Sequence, residues 1–408
     1  MLSERYKIRQ IFTGHFQEFV KTHSLSPEQE TAGRCIMNCK TGRLGHNYYE
    51  CQECGNIKIV PRSCGNRNCP NCQAVNKAIW LESRKEELID APYFHVVGTL
   101  PHELNPLLAS NKKVLYELLH RSMGQTLVTL SKDPRHLGAV PGIIQVIHTW
   151  DQQMHYHVHV HCVVSGAGLD GHGKLVVLRR KYKKRAFFIP VREVSKMYRG
   201  KFLDELKNLW EDGKLSLPGK TRKLKNSYEW QEFINGLYHI KWNVYIKETY
   251  QGKGNAIEYL AKYTNRIAIS NQRVIGEKDG IVSFYYLDRK DGNKKKIAKI
   301  PALEFIRRFF QHVVPKGFQK IRYYGYLSNS IRKARLENIF SQQGGRKYHA
   351  AFSKESPIEE IVLAVSGKDI RHCPCCGKPA MVFIWSDVTW RNAHRRRSVN
   401  EKVRASPT

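Results

Sequence analysis

The segment His155-Tyr156-His157-Val158-His159-Val160-His161 decides the reading of this chain. Alternate residues of a strand point to the same face. His157, His159 and His161 therefore line one side, while Val158, Val160 and the following Val163-Val164 supply apolar packing. A lone buried histidine is usually a satisfied core residue; three in alternation point to metal ligation. Imidazole alone suits Mg²⁺ poorly and Mn²⁺ or Zn²⁺ better, with phosphate and water completing the shell. A cation held there would polarise a phosphodiester.

Farther along, Tyr259-Leu260-Ala261-Lys262-Tyr263 puts two tyrosines four apart, hence on one face of a helix. Lys262 and Arg266 form a second such pair beside them. A phenol with a pKa of about 10 is a poor nucleophile at neutral pH. Nearby cations lower that barrier. The competing explanation is ordinary aromatic packing, since the chain carries 20 tyrosines.

The 408 residues suffice for two or three domains. Lys plus Arg numbers 68 against 36 acids, a net charge of +32. An excess of that size makes nucleic acid the expected partner. No apolar run approaches the roughly 18 residues that span a bilayer. The N-terminus lacks a signal-peptide core. A cytoplasmic protein acting at the nucleoid, without a membrane partner, is expected, and its thiols stay reduced.

The 11 cysteines are clustered, which points to zinc rather than disulfides. Cys51-x2-Cys54 and Cys69-x2-Cys72 form two knuckles that together would complete a tetrahedral structural zinc site. Cys64 and His46 are reserve ligands; Cys35 and Cys39, four apart on a predicted helix, are assigned to core. Cys373-x2-Cys376 is a further knuckle that His372 or a distant residue could complete.

Ser26-Pro27-Glu28 starts a helix well, and residues 5–42 read as two helices. Residues 46–72 read as a loop-like cysteine segment and 73–89 as a helix. Strands are predicted at 94–100, 142–150, 155–164 and 238–247. Helices are predicted up to about Leu130, at 194–210 and at 255–265. Asp291-Gly292 signals a hairpin between 282–287 and 296–300. The basic segments 178–186 and 218–226 read as loops, and the tail after Ser386 as disordered. Neighbouring strands lie close in sequence, which favours an α+β antiparallel sheet over a doubly wound one.

Two other signatures fail. Val160 occupies the position where the H-x-H-x-D-H of metallo-β-lactamase-type hydrolases needs Asp. Residues 213–221 end in Gly219-Lys220-Thr221, but the glycine spacing is one too long for a phosphate loop and no strand precedes it.

These motifs together resemble the two-tyrosine HUH rolling-circle transposases, the insertion-sequence ninety-one family. The resemblance runs from about Arg34 to Arg335 and includes the terminal knuckle. Its residues are 63–73 (Ser-Cys-Gly-Asn-Arg-Asn-Cys-Pro-Asn-Cys-Gln), the Thr-Leu-Pro-His-Glu-Leu-Asn-Pro string within 96–106, and His159-Val160-His161-Cys162-Val163-Val164-Ser165-Gly166. They continue with 259–266, with Pro315-Lys316-Gly317-Phe318, and with Ile321-Arg322-Tyr323-Tyr324-Gly325. The family often has His where this chain has Asn68.

The resemblance implies an HUH-type antiparallel sheet with flanking helices, plus a mostly helical N-terminal zinc module. It divides the chain into 1–90 (zinc-binding), 91–345 (catalytic) and 346–408 (knuckle and basic tail). It makes His159 and His161 the HUH pair with Mg²⁺ or Mn²⁺, His157 one step outside it, and Gln152 a candidate third ligand. Tyr259 or Tyr263 would attack single-stranded DNA, leaving a 5′-phosphotyrosine, with Lys262 and Arg266 on phosphates. Arg322, Tyr323 and Tyr324 would bind DNA, the aromatics stacking on unpaired bases. Hairpin-bearing transposon ends and target DNA are the implied partners. A plasmid or phage rolling-circle initiator or relaxase would use the same chemistry. A non-catalytic zinc DNA-binding protein would survive loss of both tyrosines, and a water-using nuclease would cut without becoming attached.

Overall fold

A computed structural model describes residues 7–178, 181–182, 185–186, 188–249, 267–346 and 348–387. The chain opens with α1 (Lys7–Thr22) and α2 (Pro27–Asn38). Helix α2 starts as the sequence dictates. The Ser26 hydroxyl accepts from the Gln29 N–H, the Gln29 side chain accepts from the Ser26 N–H, and Pro27 fills the first position. Strands β1 (His46–Cys51) and β2 (Ile57–Pro61) follow, then α3 (Ala74–Lys85) and β3 (Tyr93–Thr99). Next come α4 (Asn105–Ser110), α5 (Lys112–Lys132), β4 (Val140–Trp150), β5 (Tyr156–Leu169) and β6 (Leu175–Val177). A short ribbon, β7 (Lys181–Tyr182) and β8 (Arg185–Ala186), precedes α6 (Val191–Glu211), α7 (Ser227–His239) and β9 (Val244–Thr249). The remainder comprises β10 (Val274–Lys278), β11 (Ile281–Asp288), β12 (Lys294–Pro301), α8 (Ala302–Gln311), β13 (Ile321–Gly325), α9 (Arg332–Gln342), α10 (Ile358–Ser366) and β14 (Met381–Ser386).

The central sheet has the order β13-β4-β5-β3-β9, with β6 added to the far end of β5. Every pairing in it is antiparallel. The α+β class expected from the sequence is what the molecule has. One face of this sheet is apolar: Val158, Val160, Cys162 and Val164 of β5 pack with Leu119, Met123 and Leu127 of α5 and Tyr198 and Phe202 of α6. The opposite face is divided. One end packs Ile144, Val163 and Ala167 against Leu336, Ile339 and Phe340 of α9. The other end carries the histidines.

A second core joins segments far apart in the chain. Phe12 of α1 meets Phe309 and Phe310 of α8 edge-on, at ring separations of 5.2 and 5.5 Å. Val282 and Phe284 of β11 pack into the same cluster.

Four expectations change in the folded chain, the first being that the basic segment 178–186, read as a loop, carries the β7–β8 ribbon. The cysteine segment read as a loop contains the β1–β2 hairpin, and β14 pairs with its free edge. Residues 238–247 divide between the end of α7 and β9 rather than forming one strand. The basic stretch read as a loop at 218–226 winds into a 3₁₀ helix over Gly219–Lys225.

Candidate metal centre and cysteine quartets

Strands β4 and β5 fold about a tight turn at residues 151–155. The Asp151 carboxylate accepts from the N–H groups of Gln153 and His155, both at 2.8 Å, and Met154 takes φ +61°. The register that follows sets His148 directly opposite His159. Directly opposed residues share a face, and diagonal neighbours remain within reach of large side chains. His148, His159 and His161 accordingly converge: one ligand atom from each lies within 4.8 Å of the others.

Neighbouring groups orient these rings. Nδ1 of His159 donates to the His157 carbonyl at 2.9 Å. Nδ1 of His161 lies 2.8 Å from Nε2 of His95, a buried residue of β3. A proton on Nδ1 leaves the Nε2 lone pair to bind metal, and such outer hydrogen bonds are the usual way of fixing the tautomer. His148 stacks on Trp150 with centroids 4.6 Å apart. Burial pushes His159 down to about 3 and His95 down to about 4. Both rings are therefore neutral at neutral pH, the form that binds metal.

The third histidine of the group is His148, which the sequence reading did not name. Gln152 sits in the turn, where its carbonyl accepts from Arg273. His157 is exposed and stands outside the convergent group; its backbone oxygen holds His159. Tyr259, Lys262, Tyr263 and Arg266 lie outside the described residues. Arg322, Tyr323 and Tyr324 lie on β13. The Tyr323 hydroxyl accepts from Trp80 Nε1 at 3.0 Å and from Arg84 at 2.7 Å. Its ring lies 5.3 Å from the guanidinium carbons of both Arg84 and Arg332. Tyr324 packs against Gly124 of α5, and burial pushes its phenol up to about 12. Arg322 faces Glu117 at 3.7 Å. Both rings contact protein and are half-buried.

The cysteines form two quartets, and neither is the predicted one. Cys39, Cys64, Cys69 and Cys72 make the first; Cys51, Cys54, Cys373 and Cys376 make the second. The β1–β2 hairpin is the physical cause. It carries Cys51 and Cys54 to its tip, away from Cys69 and Cys72. Its base returns the chain beside the end of α2, where the Lys40 N–H bonds the Arg62 carbonyl and the Cys64 N–H points at Cys39 Sγ at 3.5 Å. Cys39, assigned to core, and Cys64, held in reserve, therefore complete the Cys69-x2-Cys72 knuckle. Cys35 stands outside both quartets. His46 is hydrogen-bonded to Asp387, and His372 faces Asp369 at 3.4 Å. Adjacent sulfurs are 3.6 Å apart for Cys64–Cys72 and Cys51–Cys376, and 3.7 Å for Cys54–Cys373. A tetrahedron with Zn–S bonds of about 2.3 Å has edges of about 3.8 Å. The quartets fit structural zinc.

The comparisons with known proteins agree with this construction. The family described as "Transposase zinc-binding domain" matches residues 11–100, and the family described as "Putative transposase" matches residues 142–335. The "Putative transposase y4qJ" of Sinorhizobium fredii (strain NBRC 101917 / NGR234) is 36% identical over 381 residues, covering 93% of this chain and 94% of its own. The "Transposase for insertion sequence element IS801" of Pseudomonas savastanoi pv. phaseolicola is 26% identical over 318 residues, covering 77% and 73%. No solved structure matches. With a zinc-binding module, a catalytic-region match and a relative alike over nearly its whole length, this chain belongs to the insertion-sequence ninety-one family of transposases.

Proposed function

We propose that this protein moves its insertion sequence by metal-dependent cleavage and rejoining of single-stranded DNA through a 5′-phosphotyrosine intermediate. The observation that carries the reading is the convergence of His148, His159 and His161 on one sheet face. These imidazoles would hold Mn²⁺ or Mg²⁺, which when bound polarises the scissile phosphodiester and offsets its developing charge. Arg289, at the β11–β12 turn, is close enough for its charge to disfavour protonation of His157 and His159. The same exposed guanidinium would hold a DNA phosphate.

Tyr259 or Tyr263 supplies the nucleophile. Its phenolic oxygen bonds to phosphorus as the phosphorus–O3′ bond breaks. The phenolic proton is lost, and the departing O3′ takes one up to become a free 3′-OH. The energy of the broken ester stays in the tyrosine link, so no ATP is needed. Attack of a 3′-OH on that link reverses the step and joins strands. The second tyrosine can cut a second strand in the same way.

The test is a denaturing gel of protein with labelled single-stranded DNA carrying the element's end and Mn²⁺ or Mg²⁺. Wild type should give a slow, denaturant-resistant band that Tyr259→Phe plus Tyr263→Phe abolishes. The two single variants assign the first nucleophile. Cleavage without such a band would mean that water is the nucleophile.

A further inference from the structure

We propose that Cys51, Cys54, Cys373 and Cys376 hold a second zinc ion, separate from the one at Cys39, Cys64, Cys69 and Cys72. This second ion clasps the C-terminal strand β14 onto the N-terminal hairpin. The inference is independent of the strand-cleavage chemistry proposed above. The matched families cover residues 11–100 and 142–335, so half of this ligand set lies outside both.

The two contributing turns are built alike. In the first, the Cys51 N–H donates to the Asn56 carbonyl at 3.0 Å and the Gly55 N–H to the Cys51 carbonyl at 2.9 Å. In the second, the Cys373 N–H donates to the Lys378 carbonyl at 2.8 Å and the Gly377 N–H to the Cys373 carbonyl at 2.9 Å. Gly55 and Gly377 take φ +67° and +73° in the same position of each turn. Only glycine adopts that conformation without steric cost. The Cys375 N–H points at Cys373 Sγ at 3.3 Å, a donor suited to a thiolate. Two such knuckles, facing each other with sulfurs at tetrahedral-edge distances, are what a ZnS₄ centre needs.

The strand that the knuckle positions has little else to hold it. Met381 is buried, but Val382, Phe383, Ile384 and Trp385 are all exposed by 44% or more. Burial of apolar surface is the main source of stability for an edge strand, and β14 obtains it at one residue. Its other contacts include the ladder to β1, a parallel stack of Trp385 on Tyr48 at 4.3 Å, an edge contact of Phe383 with Tyr49 at 5.7 Å, a Ser386–Asn47 hydrogen bond at 2.8 Å, the Lys378–Glu53 pair at 2.7 Å and the contacts of Asp387 with His46. Without β14, β1 and β2 would be a two-stranded hairpin, which is marginal in water. The β14–β1–β2 sheet is thus assembled from chain ends more than three hundred residues apart, and the four thiolates are the strongest link across that gap.

The experiment is zinc counting on the full chain by elemental mass spectrometry, with three double variants. All chains are counted in a His148→Ala/His159→Ala/His161→Ala background, so that imidazoles take up no zinc, and intact cysteines should then hold two zinc ions per chain. Cys51→Ser/Cys54→Ser and Cys373→Ser/Cys376→Ser should each carry one, and the quadruple variant should still carry one. Cys69→Ser/Cys72→Ser should lose the other ion. Hydrogen exchange should accelerate in residues 46–51 and 381–386 of the Cys373→Ser/Cys376→Ser protein while the central sheet stays protected. Retention of both ions by that variant would overturn the proposal. So would a wild type with one zinc that either N-terminal pair removes, the outcome of a single Cys51-Cys54-Cys69-Cys72 site. Should the variants aggregate, X-ray absorption of the wild type decides: two zinc equivalents per chain must see four sulfurs at about 2.3 Å, apart from any ion that imidazoles hold.

Discussion

At the scale of single residues, the candidate centre separates ligands from the groups that orient them. His148, His159 and His161 converge, while His95 stands outside the group and lies 2.8 Å from Nδ1 of His161. Removing an orienting partner of a ligand typically costs about 10- to 100-fold in metal affinity or activity. His95→Ala should fall in that range for Mn²⁺-dependent cleavage. His148→Ala should lose more than about 100-fold, and His157→Ala the least, because its contact with His159 runs through the backbone. Cleavage rates across a Mn²⁺ titration check the order, and a His157→Ala loss as large as that of His148→Ala would make His157 a ligand. Elsewhere, His120 on the buried face of α5 lies 2.9 Å from the Gln145 side chain, and burial pushes it down to about 4. A histidine whose folded pKa is depressed gives stability that is complete above its unfolded pKa of about 6.5 and is lost as pH falls toward the folded value. Between pH 6.5 and 4 the unfolded chain binds the extra proton. Denaturant unfolding should show His120→Leu losing less stability over that window than wild type, by an amount on the order of 3 kcal/mol.

At the scale of elements, the sheet is shaped by places where backbones meet. Gly325 ends β13 with φ +65°, and a methyl group there would overlap the Pro141 carbonyl on the neighbouring strand. Gly280 has a similar φ of +75°, in the Asp279-Gly280 turn between β10 and β11, with open space around it. Placing a Cβ in the left-handed region costs about 1–2 kcal/mol. Gly280→Ala should cost that much, and Gly325→Ala clearly more, since backbone atoms cannot move aside. Midpoints of urea unfolding compare the two; equal losses would show that β13 yields easily. The Asp279-Gly280 turn joins strands that pair from Lys278 to Ile281, the shortest hairpin connection.

At the scale of the whole molecule, charge and chain connectivity dominate. A net +32 should make DNA binding strongly dependent on salt. For single strands the slope of log K against log salt is about −0.7 per phosphate neutralised. We expect a slope steeper than about −3, read by fluorescence anisotropy on a labelled oligonucleotide. A slope near zero would mean that the positive charge faces something other than DNA. No described helix is long and apolar enough to cross a membrane. The three consecutive domains expected from the sequence are crossed by two structural links: α1 packs on α8 through Phe12, and β14 joins β1.

The sequence by itself determined what local chemistry fixes. Alternation in His157–His161 required a strand with one imidazole face. The capped start at Ser26-Pro27 required a helix, and each Cys-x2-Cys required a metal knuckle. Which knuckles meet was decided only by tertiary structure, because partners such as Cys54 and Cys373 are joined by strand pairing across 319 residues and no local pattern encodes that. Cys39 looked like core for the same reason: at the end of a helix it is one apolar residue among others, and its sulfur joins a quartet only where the chain returns at Arg62. His148 lay between. Its strand was legible, and folding β4 onto β5 about the 151–155 turn puts it opposite His159, but that register is fixed by the Asp151 turn geometry, which the hydrophobic pattern of the two strands does not encode.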